Sequence, residues 1–228
     1  MSSKHSVLLV ATSAGKMGDM ETGVWLEELA APYYKFVEQD FNVSLASPKG
    51  GAIPIDAGSM QPNFFTEYAK RFMMDPEAVN LLSHSKPIKD INGSNFSSVF
   101  LCGGHGTCID FVNNSDLDRV LSENYNSGKI LAAVCHGPNA LASLKTPVGE
   151  PLVKDKNVTG FSAEEEENVG LTGKVPFVIE TEFQRLGGKY SKSQPWTSHA
   201  VADGRLITGQ NPQSSEAAAD LVIQKLKE

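Results

Sequence analysis

Three stretches of this chain are apolar along their whole length: Ser6-Val-Leu-Leu-Val-Ala11, Ser98-Val-Phe-Leu-Cys102 and Lys129-Ile-Leu-Ala-Ala-Val134. None shows the polar alternation of a strand with one wet face. Such strands must be covered on both sides, which in water means a parallel sheet between two helical layers. The spacers agree with this. The stretch from Gly23 to about Gln39 reads as a helix containing Pro32, Val43–Ala46 as a short strand, and Asp116–Asn126 as a helix. A further helix is expected to open near Gly137, and about Ser214–Lys227 reads as a closing amphipathic helix. His199–Thr208 reads as a hairpin turning at Asp203-Gly204. The expectation is an α/β fold with a mostly parallel sheet, right-handed crossovers and one domain over residues 1–228.

Residues from about 49 to 95 exceed what a minimal sandwich needs. They carry Pro54, Pro62, Pro76 and Pro87, but also Phe64, Phe65, Tyr68, Phe72, Met73 and Met74. A loop this long with its own aromatics is expected to fold over one edge as a lid.

A net charge of −7 and the lack of any basic cluster argue against nucleic acid and against an anionic membrane surface as partners. No apolar run reaches membrane-spanning length, and Val7–Ala11 is too short for a signal sequence. Cys102, Cys108 and Cys135 are an odd set without metal or CxxC spacing. That fits a reducing compartment, the cytoplasm with the nucleus as an alternative.

Chemistry concentrates where the third apolar run ends. In Val134-Cys-His-Gly-Pro138 a buried strand meets a helix start, so Cys135 sits on a nucleophile elbow above the carboxyl ends of the strands. The field of the following helix is expected to favour thiolate. His136 is the adjacent acid–base partner, and its backbone N–H faces a developing oxyanion. Cys102 and Cys108 lack this context and read as structural. After the second run, Cys102-Gly-Gly-His-Gly-Thr107 lets backbone approach a ligand, with Gly104 as second oxyanion donor. His105 reads equally as a substrate contact or a hydrogen-bonded scaffold residue. One of Glu164–Glu167 could orient the His136 imidazole. In the first helix the apolar stripe of Trp25, Leu29, Tyr33 and Phe36 leaves Glu27 nearly opposite and Glu28 nearer its margin, where it could reach the site. Trp196 could line the site, but core packing is the preferred reading. The motifs of serine hydrolases, zinc proteases and phosphate loops are absent.

These residues resemble the ThiJ/PfpI superfamily, and more closely its branch of fungal heat-shock chaperones and glutathione-independent glyoxalases III. The resemblance runs nearly end to end: Thr22-Gly-Val-Trp-Leu-Glu-Glu28, Gly104-His-Gly-Thr107, Ala133-Val-Cys-His-Gly-Pro138, Thr159-Gly-Phe-Ser with the glutamates after it, and Asp203-Gly-Arg-Leu-Ile-Thr-Gly-Gln-Asn-Pro212. It implies a flavodoxin-like three-layer sandwich. It also implies a site of Cys135, His136, Glu166 and Glu28, with Glu165 and Glu167 as the alternatives one residue out of register. The downstream His-x-Glu of true amidotransferases is not supplied by His199-Ala-Val, which disfavours glutamine hydrolysis. The implied activity is conversion of methylglyoxal or glyoxal to D-lactate or glycolate without glutathione, metal or organic cofactor, by a homodimer. Three rival roles come with it: a stress-induced holdase that offers the 64–74 insertion to unfolded clients, repair of early glycation adducts, and redox sensing at Cys135.

Overall fold

The computed structural model describes residues 4–228; the three residues before them, the start of the lead-in to the first strand, lie outside the described part. In chain order the strands are β1 (Ser6–Val10), β2 (Lys16–Met17), β3 (Met20–Glu21), β4 (Asn42–Ser47), β5 (Lys86–Pro87), β6 (Ser98–Leu101), β7 (Ile130–Val134), β8 (Asn157–Val158), β9 (Lys189–Tyr190), β10 (Ala200–Asp203) and β11 (Leu206–Gly209). The helices are α1 (Leu26–Val37), α2 (Glu67–Met74), α3 (Pro76–Ser83), α4 (Thr107–Asp110), α5 (Ser115–Asn126), α6 (Ala163–Asn168), α7 (Ile179–Arg185) and α8 (Ser215–Lys227).

One sheet in the order β10-β11-β7-β6-β1-β4-β5 organises the molecule, with β2–β3 and β8–β9 as separate two-stranded ribbons. All its neighbours pair in parallel except β10 and β11, the antiparallel hairpin at one edge. The wholly apolar runs occupy the middle: β6 and β7 are buried at every position and β1 at all but its first. From β1 the chain crosses to β4 through α1, and from β6 it crosses the opposite way to β7 through α5. Right-handed crossovers in opposite directions put α1 and α5 on opposite faces, giving the three layers. The strand order reverses between β1 and β6, and ligands of open α/β sheets lie above the carboxyl ends at such a point.

Three local readings change. The segment after β7 is a 3-10 helix, Gly137–Ala142, and not an α-helix. α1 is buried almost all round, because α8 packs along it and the insertion covers the remaining side through α2. Glu27, expected opposite the buried stripe, is therefore itself buried, and the Thr66 hydroxyl at the start of α2 donates to its Oε2. The insertion spends its aromatics on α1: Phe72 lies edge-on to Tyr33 at 5.4 Å between ring centroids, and Tyr68 stacks on Tyr34 at 6.3 Å. Phe72 is fully buried, and Phe65 and Tyr68 are half-buried, so the apolar surface expected for client capture shrinks to scattered side chains such as Met73 and Met74. Among the described residues no helix is long and apolar enough to cross a membrane.

Candidate active site

The elbow at Cys135 is held by its neighbours. Cys135 has φ +58°, in the left-handed region that L-residues seldom occupy. Its N–H donates to the Gly209 carbonyl at 3.0 Å, and its own carbonyl accepts from the Phe161 N–H at 2.9 Å. Strand β11 and the 159–162 segment thus fix both sides of a strained residue. Gly137 completes the bend, since a Cβ there would collide with the Leu101 carbonyl group of β6.

Four parts of the chain converge on the sulfur. Cys135 Sγ lies 3.4 Å from His136 Nδ1. His136 Nε2 is 2.7 Å from Glu166 Oε2, and His105 Nε2 is 2.8 Å from Glu166 Oε1. Burial alone would raise the Glu166 carboxyl, but the bonds from the two imidazoles outweigh it and hold the pKa at about 2. An ionised carboxylate only accepts, so both imidazoles carry their proton on Nε2. His136 Nδ1 therefore points a lone pair at the thiol. Burial, helped by the nearby His105, pushes His136 down to about 4, so near neutral pH it is an uncharged base.

Glu28 enters from the first turn of α1, fully buried. Its Oε2 accepts the Gly103 N–H at 2.8 Å, while Oε1 has no nitrogen or oxygen partner and the carboxyl interacts with the Cys135 sulfur. Burial raises Glu28 well above the usual carboxylate range, so it stands as a neutral acid. Burial pushes the Cys135 thiol up as well. This reverses the expectation of a thiolate favoured by a helix field. The following helix is only one short 3-10 segment, and the sulfur is enclosed beside an acid. The resting group is a thiol that needs a base, and His136 Nδ1 is in place to be one.

Gly104, at φ +101°, and His136 line the cavity above Cys135. Neither of their backbone N–H groups donates to another group among the described residues. The Thr107 hydroxyl ties the glycine loop to the elbow, 2.9 Å from the Gly104 carbonyl oxygen and 3.0 Å from that of His136. Cys102 and Cys108 are buried and unpaired by disulfide. Cys108 Sγ accepts from Asn139 at 3.3 Å, away from the cavity.

The cavity encloses about 190 Å³, with Cys135, His136, His105 and Glu28 as its polar floor. Trp25, Phe64, Phe161, Val169 and Trp196 supply apolar walls. Trp196 is thus a cavity wall, 38% exposed, and not the core residue the sequence favoured. Phe64 is the contribution of the 49–95 insertion. No lysine or arginine lines this space. A wider, open depression of about 450 Å³ lies near His5, Lys129, Arg205 and Lys225, but it has no nucleophile, and Arg205 is spent on the Tyr125 and Lys129 carbonyls. His105, His136 and Glu166 bring potential ligand atoms within 4.8 Å of one another, yet here each imidazole Nε2 is committed to a Glu166 oxygen.

Within the glutamate run, Glu166 reaches the imidazoles, Glu165 is buried beneath, and Glu167 is exposed. A capping box fixes this register. Ser162 Oγ accepts the Glu165 N–H at 3.2 Å, and Glu165 Oε2 accepts the Ser162 N–H at 3.0 Å. Ser162-x-x-Glu165 was the sequence signal that could have resolved it.

Residues 19–225 match the model of the DJ-1/PfpI family. The chain belongs to the DJ-1/PfpI family. Among its relatives is Glyoxalase 3 of Candida albicans, 32% identical over 95% of this chain and 96% of that protein. A crystal structure of glyoxalase III from Candida albicans superposes with a TM-score of 0.89, covering 97% of each chain at 32% identity. The Francisella tularensis Rapid Encystment Protein 24 KDa superposes with a TM-score of 0.92 at 38% identity, covering 97% of this chain and 99% of that one. The full-length match within the DJ-1/PfpI family places the chain in the flavodoxin-like α/β class expected from its sequence.

Proposed function

We propose that this protein is a glutathione-independent glyoxalase that turns methylglyoxal into lactate, D-lactate by the family resemblance. One observation carries the reading: a buried thiol 3.4 Å from an uncharged imidazole nitrogen, at the floor of a small apolar cavity without cations. Two relatives that bear the glyoxalase name match 95% and 97% of this chain. A neutral dicarbonyl suits such a cavity, whereas an anionic substrate would find no lysine or arginine there to pair with.

In the first step the Cys135 sulfur bonds to the aldehyde carbon while its proton moves to His136 Nδ1. The N–H groups of Gly104 and His136 hold the carbonyl oxygen as it becomes an alkoxide, and His136 returns the proton to it, giving a hemithioacetal. His136 Nδ1 then removes the hydrogen from that carbon. The electron pair forms the enediol double bond, and the neutral Glu28 protonates the ketone oxygen. Next His136 delivers its proton to the former ketone carbon, and the first hydroxyl gives its proton back to Glu28. The product is a thioester of lactate. Water attacks it with His136 as base, and sulfur leaves as thiol. Glu166 keeps Nε2 of His136 protonated throughout and stabilises the transient imidazolium.

The decisive experiment is Cys135→Ser incubated with methylglyoxal in the absence of thiols. The expected result is no D-lactate above the uncatalysed rate. Lactate formed at the wild-type rate would falsify the mechanism.

A further inference from the structure

We propose that Glu165 positions Trp196 as the wall against which the substrate's carbon substituent rests, and so sets selectivity among 2-oxoaldehydes. This rests on the glyoxalase reading above.

Glu165 is fully buried without a salt-bridge partner among the described residues. Five donors take the place of one. Oε2 accepts from Ser162 N (3.0 Å), Ser162 Oγ (2.8 Å) and Gln210 Nε2 (3.1 Å). Oε1 accepts from Trp196 N (2.9 Å) and Asn211 Nδ2 (2.8 Å). One carboxylate therefore joins the start of α6, the 193–197 loop and the exit of β11. Asn211 Nδ2 extends the link to the Thr197 carbonyl at 2.8 Å.

Trp196 needs such an anchor. It has φ +61°, a conformation that costs a bulky side chain and persists only when its surroundings impose it. The strain places the indole in the cavity wall, edge-on to Phe161 at 5.7 Å, whose ring lies 4.4 Å from that of His136. Nothing in the proposed proton transfers uses Glu165 or Trp196. Their joint product is an aromatic surface facing the reacting carbons.

A glutamine cannot replace this carboxylate. Each oxygen faces at least two N–H or NH₂ donors, so the amide NH₂ meets donors in either orientation. Glu165→Gln should release the Trp196 N–H and let the strained residue relax.

The test is kcat and KM for methyl-, ethyl- and propylglyoxal. In the wild type, kcat/KM should rise about fourfold per added methylene as each is buried on the wall. Glu165→Gln and Trp196→Gly should both flatten that rise to less than about twofold, with the loss carried mainly by KM. Trp196→Gly should keep its melting temperature, since glycine accepts this φ without strain. Asn211→Ala, a milder cut in the same link, should flatten the series in part and covers the case in which Glu165→Gln does not fold. The full wild-type rise retained in Glu165→Gln or Trp196→Gly overturns the proposal, as does an unaltered series in Asn211→Ala.

A second readout needs no turnover. The chain has two tryptophans, so in a Trp25→Phe background acrylamide quenching reports Trp196 alone. Glu165→Gln should raise quenching at least about twofold, and no change overturns the proposal. If instead wild type makes no lactate while quenching responds as stated, the glyoxalase reading fails and the Glu165–Trp196 link stands.

Discussion

Replacing Glu166 with glutamine tests the proposed catalytic geometry most severely. A carboxyl whose pKa falls from 4.5 to about 2 is stabilised as the anion by about 3 kcal/mol at about 1.4 kcal/mol per pH unit, the net of its two imidazole partners over burial. The amide offers one acceptor where the carboxylate offers two. It can accept from one imidazole, but its NH₂ forces the other to bring a bare Nε2 and move its proton to Nδ1. If His136 is the one reversed, its Nδ1 carries a proton toward Sγ, 3.4 Å away, and cannot take the proton of the thiol. If His105 is reversed, only the electrostatic support of the imidazolium is lost. The loss in kcat/KM should therefore lie between about 10² from charge alone and about 10⁴ from the wrong tautomer. The assay is initial-rate D-lactate formation from methylglyoxal, with circular dichroism and a thermal melt to establish folding. A folded Glu166→Gln enzyme within tenfold of wild type would show that His136 is not the base.

Other outcomes follow from the same groups. Because His136 is held down to about 4, log kcat/KM should stay level from about pH 8 down to about pH 5 and fall with unit slope below about 4; an acid limb near 6.5 would mean a solvated imidazole. Glu28→Gln keeps an acceptor for the Gly103 N–H but cannot release a proton, so the variant should fold and lose kcat by at least about 10²; unchanged turnover removes Glu28 from the scheme. Glu27 is raised to about 7 by burial, against the pull of Thr66 and with a further push from Glu216. A raised folded pKa gives stability that is complete below 4.5 and lost as pH rises through about 7, so Glu27→Gln should match wild type near pH 4 and exceed it by up to about 3 kcal/mol near pH 8. Urea unfolding at the two pH values decides it, and an equal difference at both would place the effect in packing.

The parallel sheet was legible because its central strands are apolar without interruption, a pattern that burial on both faces alone explains. The elbow was legible because strand, cysteine and Gly-Pro follow one another without spacer. What escaped depends on the third dimension. Helical periodicity set Glu27 opposite the buried stripe, but it counts one covered face, and α1 has α8 on one side and α2 on the other. The edge strand β5 is two residues within the insertion, one of them proline, and α7 is a seven-residue helix; neither is long enough to establish a period. The sequence shows the helix start after Cys135 and not the enclosure of its sulfur, so it favours a thiolate where burial favours the thiol. The hydrophobicity of Trp196 is visible in sequence and its φ is not, so sequence favours core packing over the cavity wall.

The Phe161 N–H holds the Cys135 carbonyl oxygen at 2.9 Å and the Trp25 N–H holds that of Gly103 at 3.3 Å, and these oxygens share peptide units with the His136 and Gly104 N–H groups. Peptide units free to swivel would turn their amides toward whatever acceptor was nearest, and each arriving molecule would have to swing them back. Here both peptide units are tied through their oxygens, one to the 159–162 segment and one to the residue that precedes α1. On the glyoxalase reading proposed above, a carbonyl entering the cavity meets two amides already set to receive its oxygen.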